Sequence, residues 1–163
     1  MTENQKQTML KWRSRYKRAQ LAHSYTAISY GRYHLWLGVL LIVLTTASCV
    51  LIFAGNDDMP NWLSPLVGIS AALFAYLQTF LQLSEKADSH RAVARRYGAL
   101  KKKLEYLIEF EHDSEDMTEK VNAIRIKEDE IATDAPHALS HRWKKAKAET
   151  QEENDSTSIR NRT

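Results

Sequence analysis

The sequence predicts an all-α integral membrane protein: a two-helix transmembrane hairpin with cytoplasmic N-terminal and C-terminal helices, assembled into a helical-bundle oligomer. Two apolar blocks, 35–54 and 62–83, contain no Asp, Glu, Lys, Arg or His. A helix of about twenty residues covers roughly 30 Å, the thickness of a hydrocarbon core. Since a backbone in lipid must satisfy its own hydrogen bonds, we expect both blocks to be spanning helices. The alternative, a buried helix pair in a soluble bundle, needs a larger surrounding protein than 163 residues supply.

The distribution of charge predicts the orientation of this hairpin. The connector 55–61 carries Asp57 and Asp58 but no Lys or Arg. Basic residues flank both blocks on their other ends, at Lys6, Lys11, Arg13, Arg15, Lys17, Arg18, Arg32, Lys86, Arg91, Arg95, Arg96, Lys101, Lys102 and Lys103. Because basic flanks stay inside, we expect a multi-pass protein of the cell inner membrane with both termini cytoplasmic and an external turn.

The N-terminal arm, residues 1–34, has the spacing of a cytoplasmic amphipathic helix. Apolar and aromatic positions recur every three or four residues, at Met9, Trp12, Tyr16, Ala19, His23, Ala27 and Tyr30. This face packs either on the helix that follows the second span or on the membrane surface. The helix runs on towards the first span, with Gly31 as a candidate joint.

The second span carries a narrow stripe of small and polar side chains. Its members are Ser64, Gly68, Ala71, Ala75, Gln78 and Gln82. Such a stripe is either a packing seam, where small residues let helices approach, or the lining of a water-filled passage between several chains.

The segment 84–149 is predicted to be cytoplasmic helices. Its first helix, expected to be continuous with the second span, has a coiled-coil-like seam at Ala87, His90 or Arg91, Ala94, Tyr97, Leu100 or Lys101, Leu104, Leu107 and Ile108. A second helix, capped at Asp113 or Ser114, continues through Met117 to Ile131, and a short third one covers 138–149. A basic cluster on that third helix is either a solvated face or a site for anionic lipid or an acidic partner. Residues 150–163 are poor in apolar side chains and are predicted to be a disordered tail.

Two histidines fall on the inward faces of the predicted cytoplasmic helices. His23 lies about twelve residues before the first span and His90 about seven after the second, so their depths differ by only about 8 Å. One hypothesis is an inter-helix contact, with Tyr97 or Ser24 nearby, that holds the arms closed and weakens as pH falls. The other is two interfacial histidines bonded to neighbouring side chains.

Several of these residues together resemble a known family. The N-terminal helix carries Ala22-His23, and a tyrosine-rich segment before the first span ends in Tyr33-His34-Leu35-Trp36-Leu37-Gly38. Two spans follow, and after them the pattern A-x-x-H-R-x-x-A-x-x-Y-x-x-L covers residues 87–100. Over roughly residues 10–110 this is similar to the SLATT family of bacterial two-span effector domains. The resemblance implies a membrane effector of nucleotide-signalling and phage-defence systems, proposed to form pores and stop growth of an infected cell. It also implies a cytoplasmic sensor or nucleotide-signalling partner.

The sequence contains no recognisable catalytic constellation. There is no glycine-rich phosphate loop, H-E-x-x-H motif or nucleophile elbow, and Glu128-Asp129-Glu130 is read as a solvated carboxylate run. The single cysteine, Cys49, excludes disulfides and multi-cysteine metal sites within one chain. Because the basic residues flank the spans, they indicate topology rather than nucleic acid. We therefore expect no enzyme activity, no cofactor and no metal.

Three classes of function remain. The first is a self-assembling pore or membrane-disrupting effector, whose partners are the lipid bilayer and further copies of the chain. The second is a non-conducting membrane anchor or adaptor that recruits a cytoplasmic sensor or enzyme through its helical arms. The third is a small regulator that packs against a larger channel or transporter. Two spans alone cannot enclose a channel, so the first class requires an oligomer.

Overall fold

The computed structural model describes residues 3–53, 60–110 and 116–160, with side chains described as far as residue 153. Every regular element in these ranges is an α-helix. The helices are α1 (Glu3–Phe53), α2 (Leu63–Leu81), α3 (Leu83–Phe110), α4 (Met117–Asp134) and α5 (Ser140–Arg160). Most of the predicted connector 55–61 and the predicted cap at residues 113–114 lie outside the described residues.

Helix α1 joins the predicted N-terminal arm to the first apolar block without a break. It is continuous over 51 residues, and Gly31 does not interrupt it. A glycine inside a helix costs only about 1 kcal/mol relative to alanine, and the long helical stretches on both sides outweigh that cost.

The predicted continuity of the second span with the next helix is wrong. Helix α2 ends at Leu81, Gln82 adopts a left-handed conformation with φ 46°, and α3 begins at Leu83. A non-glycine residue in that region is disfavoured by contact between its Cβ and the backbone. The backbone is thus strained at one residue at the end of the apolar block.

Residues 1–27 and 88–163 form one compact unit, called here the polar unit. Within it, α3 buries the face that its spacing predicted: Ala94, Tyr97, Leu100, Leu104 and Leu107 are each 8% exposed or less. Met9, Tyr16 and Ala19 of α1 share that core. Ile124 and Ile131 of α4 complete it. These contacts place α1, α3 and α4 around one hydrophobic core.

The predicted disorder from residue 150 is wrong for the residues that the structure describes. Helix α5 continues from Ser140 to Arg160, well past the predicted end at 149. Thr150 is 2% exposed and Glu153 forms an ion pair with Lys17 of α1. Docking on α1 supplies the stabilisation that a polar segment lacks by itself.

Residues 28–87 form a second compact unit, called here the apolar unit. Its two membrane-length stretches are hardly covered by the rest of the chain. No residue is buried in the most apolar stretch of α1, and 11% of the residues are buried in the corresponding stretch that begins in α2. Large apolar side chains such as Phe53, Trp36 and Phe80 are 67 to 87% exposed. The core helices of a soluble protein would be mostly covered, so this surface favours a lipid environment.

Candidate functional site

The structure brings His23 and His90 into direct contact inside the polar unit. Their Nδ1 atoms are 2.9 Å apart, and both side chains are at most 5% exposed. Such a pair holds when one ring nitrogen donates its proton and the other accepts it, which requires at least one neutral ring. Burial, and then the proximity of His90, lower the pKa of His23 to about 4, and burial also lowers the pKa of His90. The contact is therefore uncharged at neutral pH.

Two tyrosines extend this contact through the core. The Tyr97 ring stacks on His23 with 6.1 Å between centroids, and the Tyr16 ring lies 6.3 Å from Tyr97. Tyr16 is fully buried, and its hydroxyl donates a 2.9 Å hydrogen bond to Oε2 of Glu128. Burial and this hydrogen bond raise the pKa of Tyr16 above its usual value, and burial does the same for Tyr97. His90, His23, Tyr97, Tyr16 and Glu128 thus form one buried polar row.

Sequence reasoning missed Glu128, which it assigned to a solvated run. The residue is 9% exposed, and its Oε1 atom forms an ion pair with Nη2 of Arg15 at 2.9 Å. A signal was present, because Ile124 and Ile131 lie four residues before and three residues after it, on the same face of a helix. A buried carboxylate needs partners, and Tyr16 and Arg15 supply them.

The docking of α5 on α1 was also missed. The Tyr25 hydroxyl donates a 2.6 Å hydrogen bond to Glu149, and Lys145 lies 4.7 Å from the centre of the Tyr25 ring. The backbone N–H of Leu139 donates to Oγ1 of Thr26, which is fully buried. The signal in α1 was a pair of small residues beside the aromatic face, Ala22 and Thr26, both buried.

Within the apolar unit, the predicted stripe of α2 meets the apolar part of α1. A Cβ atom added at Gly68 would lie 3.6 Å from Oγ of Ser48, and one added at Gly38 would lie 3.9 Å from Nε2 of Gln78. Ala71 is buried. Ser64 and Ala75 are half-buried. Small residues therefore allow close approach of the helices here, as in a packing seam.

The two glutamines of the stripe have different surroundings. Gln82 is exposed and lies in the strained turn after α2. Gln78 is half-buried, and no described group donates a hydrogen bond to its shielded Oε1 atom. Three hydroxyls of the spans, those of Thr45, Ser70 and Thr79, are satisfied within their own helices by donating to carbonyls one turn back. Gln78 is thus the polar group of the stripe that the described chain does not satisfy.

The described residues contain no cluster of three or more His, Cys, Asp or Glu side chains able to hold a metal ion. Both the buried polar row and the stripe join helices to one another, and neither presents a nucleophile beside a base. These sites are arranged for packing between helices, within a protein whose two long apolar surfaces are exposed.

Fold and sites together define an all-helical protein with two helices of membrane-spanning length and composition. The family described as SMODS and SLOG-associating 2TM effector domain, family 4, matches residues 5–161. The chain belongs to that family. The matched residues include α5 as well as the region of the resemblance. No curated protein and no solved structure matches the chain.

Proposed function

We propose that this chain is a self-assembling membrane effector that forms a pore in, or disrupts, the bacterial inner membrane. It would act in a nucleotide-signalled or phage-defence system and stop growth of the cell. The observation that carries the proposal is the pair of membrane-length helices with exposed apolar surfaces in a member of a 2TM effector family. A cytoplasmic sensor or nucleotide-signalling protein would supply the trigger.

A transmembrane hairpin is the arrangement we propose for the apolar unit. The two contacts of the seam support it, because residue 38 meets residue 78 whereas residue 48 meets residue 68. Residue numbers that rise along one helix and fall along the other are typical of an antiparallel pair. Basic flanks at both outer ends then favour cytoplasmic termini.

The amide of Gln78 is the polar group of the stripe that we propose takes part in assembly. In hydrocarbon, an amide oxygen without a hydrogen bond costs roughly 2 to 7 kcal/mol, depending on the reference state. The described part of the chain supplies no donor to that oxygen. Because the chain's own atoms shield that oxygen, water in a passage or a side chain from a second copy would reach it only after the Gln78 side chain turns outward.

Dye leakage from liposomes that contain the purified chain tests the proposal. We expect leakage without any partner, and we expect Gln78→Leu to change its rate if the stripe faces water. The matched control is Thr79→Leu, one position along the same helix, which removes an exposed hydroxyl that is already satisfied within the helix. Equal leakage from both variants and the unaltered chain would count against a pore lined by the stripe, and no leakage from any would count against conduction.

The function proposed for the buried histidine pair is to hold α1 and α3 together. The 2.9 Å contact and the stacking on Tyr97 support it, and the lowered pKa of His23 means that the pair persists at cytoplasmic pH. Substitution of both His23 and His90 by Ala should alter assembly or toxicity. A double variant that assembled and killed normally would contradict a role for the pair.

A non-conducting anchor or adaptor is the second candidate function. A groove between α1 and α4, with a volume of about 310 Å³ and apolar walls that include Met9, Trp12 and Met117, favours it. Such a groove suits an apolar side chain from a soluble partner. This candidate predicts intact liposomes and loss of partner recruitment when Trp12 is replaced by Lys, with toxicity that depends entirely on the partner.

A further inference from the structure

A basic groove lies on the surface of the polar unit between α3 and α4. Its volume is about 400 Å³, and apolar atoms make up most of its floor. The lining residues are Lys102, Lys103, Tyr106 and Leu107 of α3 with Lys120, Ala123, Ile124 and Lys127 of α4. Tyr106, at one edge of the groove, is 54% exposed, and the centre of its ring lies 5.2 Å from that of the Phe110 ring. An apolar floor inside a ring of lysines suits an occupant that is apolar and negatively charged.

Three of the four lysines of this groove have no carboxylate partner among the described residues. Among the described residues, no carboxylate pairs with Lys102, Lys103 or Lys127. On α3, Glu105 pairs instead with Arg13 and Lys101. Like charges gathered around one groove repel one another, and a matching set of carboxylates would relieve that repulsion.

A second surface with the opposite character lies on α4 itself. It consists of Ile126, Asp129, Glu130, Thr133 and Asp134, which together line a shallow depression. Ile126 is 49% exposed, so an apolar side chain protrudes among the carboxylates. At 3.6 residues per turn, the centre of this acidic face lies roughly 100° around α4 from the side that borders the basic groove. The two surfaces therefore point in different directions from one helix.

We propose that the acidic face of α4 in one copy of this chain docks in the basic groove of the next copy. Carboxylates of the acidic face would meet the lysines, and Ile126 would meet the apolar floor, in the manner of a helix lying in a groove. The inference rests on the proposed self-assembly and identifies the surfaces that carry it.

Because the two surfaces differ, the contact is heterologous. In a pair of copies, one copy keeps a free basic groove and the other keeps a free acidic face. Repetition of such a contact produces a closed ring or an open chain rather than a dimer. A ring is also the arrangement that a passage between several hairpins requires. Confinement of the copies to one membrane raises their effective concentration, so a contact of moderate strength suffices.

Charge reversal on the full-length chain in detergent or nanodiscs tests the proposal, with native mass spectrometry reporting multiples of the 18.8 kDa protomer. A groove variant carries Lys102→Glu and Lys127→Glu, and a face variant carries Asp129→Lys and Glu130→Lys. We expect the unaltered chain above dimer mass and each variant alone at protomer mass. Mixing the two variants should restore assembly above dimer mass, since the intact acidic face of one meets the intact groove of the other and the two reversed surfaces also attract each other.

A third variant carries all four substitutions, which exchanges the charges of the two surfaces and keeps the net charge. We expect it to regain the mass of the unaltered chain. The matched control is Lys6→Glu with Lys11→Glu, two exposed α1 lysines away from both surfaces, which should leave assembly unchanged. Raising salt from about 0.1 M to about 1 M should weaken assembly of the unaltered chain, because screening shortens the range of the attraction.

The outcomes separate this inference from the proposed function. Groove and face variants that assemble like the unaltered chain would overturn the inference and leave self-assembly standing. An unaltered chain that stays at protomer mass would overturn both. An unaltered chain that stops at a dimer would overturn the heterologous contact. Where circular dichroism shows lost helicity in a reversal variant, Lys102→Ala with Lys127→Ala takes its place, and a mass distribution identical to that of the unaltered chain would then overturn the inference.

Discussion

At the scale of single residues, the buried polar row stabilises the polar unit only while its members keep particular protonation states. His23 and His90 share one hydrogen bond, and Tyr16 donates another to Glu128. In a buried environment a group left unpaired costs about 1 to 3 kcal/mol, which exceeds the net gain from a typical satisfied hydrogen bond. A change of pH, or of one side chain in this row, is therefore expected to change the stability of the polar unit.

The first prediction concerns pH. The pKa of His23 is about 4 in the folded chain and near its usual 6.5 when unfolded, so the unfolded state binds the proton more tightly. The contribution of neutral His23 to the free energy of unfolding is fully present above pH 6.5 and is lost as pH falls towards 4. Its full size is on the order of 3 kcal/mol. We expect thermal unfolding temperatures to fall across this window, and to fall less in His23→Gln. The exposed His137→Gln should keep the full dependence.

The second prediction concerns Glu128. Substitution by Ala removes the acceptor of the buried Tyr16 hydroxyl and the partner of Arg15, so we expect a loss of about 1 to 3 kcal/mol in the free energy of unfolding. Glu128→Gln keeps an acceptor for Tyr16 and should cost less. The neighbouring Glu130→Ala, on the exposed side of α4, should stay within about 0.5 kcal/mol. Chemical denaturation in detergent measures all three, and equal effects at 128 and 130 would contradict the buried placement.

At the scale of elements, α5 shows how a polar segment becomes ordered by its neighbours. Its composition is poor in apolar side chains, yet Ala146 and Thr150 are buried and Glu149 bonds to Tyr25. The pairing of Glu153 with Lys17 lowers the pKa of that carboxyl. The helix is amphipathic in an unusual sense, because its buried face is made of small residues rather than large apolar ones.

The third prediction follows from that docking. A chain ending after Glu149 loses the buried Thr150, whose hydroxyl accepts a hydrogen bond from Arg18, and also the ion pair of Glu153 with Lys17. We expect a lower unfolding temperature, by roughly 2 to 4 °C if about 1 kcal/mol is lost from a chain of 163 residues. A chain ending after Glu153 keeps both contacts and serves as the control. Two chains with equal unfolding temperatures would show that these contacts do not stabilise the protein.

At the scale of the whole molecule, the exposed apolar surfaces and the placement of charge lead to the fourth prediction. In a background with Cys49→Ser, a cysteine replacing the exposed Asn61 should react with a membrane-impermeant maleimide on intact spheroplasts. A cysteine replacing the exposed Glu109 should react only after permeabilisation. The reverse pattern would place the termini outside and contradict the orientation inferred from the basic flanks.

The sequence alone determined the features that depend on local composition and spacing. An apolar block of about twenty residues predicts a spanning helix because the thickness of the hydrocarbon is fixed. The spacing of Ala94, Tyr97, Leu100 and Leu104 identified the buried face of α3 because a helix has a fixed period. The same geometry predicted that His23 and His90 lie at similar depths on facing helices.

Only the tertiary structure decided features that depend on what a residue meets across the fold. Glu128 is charged and lies in a charged run, so its burial follows from the positions of Tyr16 and Arg15 rather than from its own chemistry. Helix α5 continues past residue 149, where Thr150 and Glu153 contact Arg18 and Lys17 of α1, and composition does not reveal these partners. The left-handed turn at Gln82 is equally hidden, since no glycine marks it. Long-range partners determine these outcomes, and a one-dimensional pattern records only near neighbours.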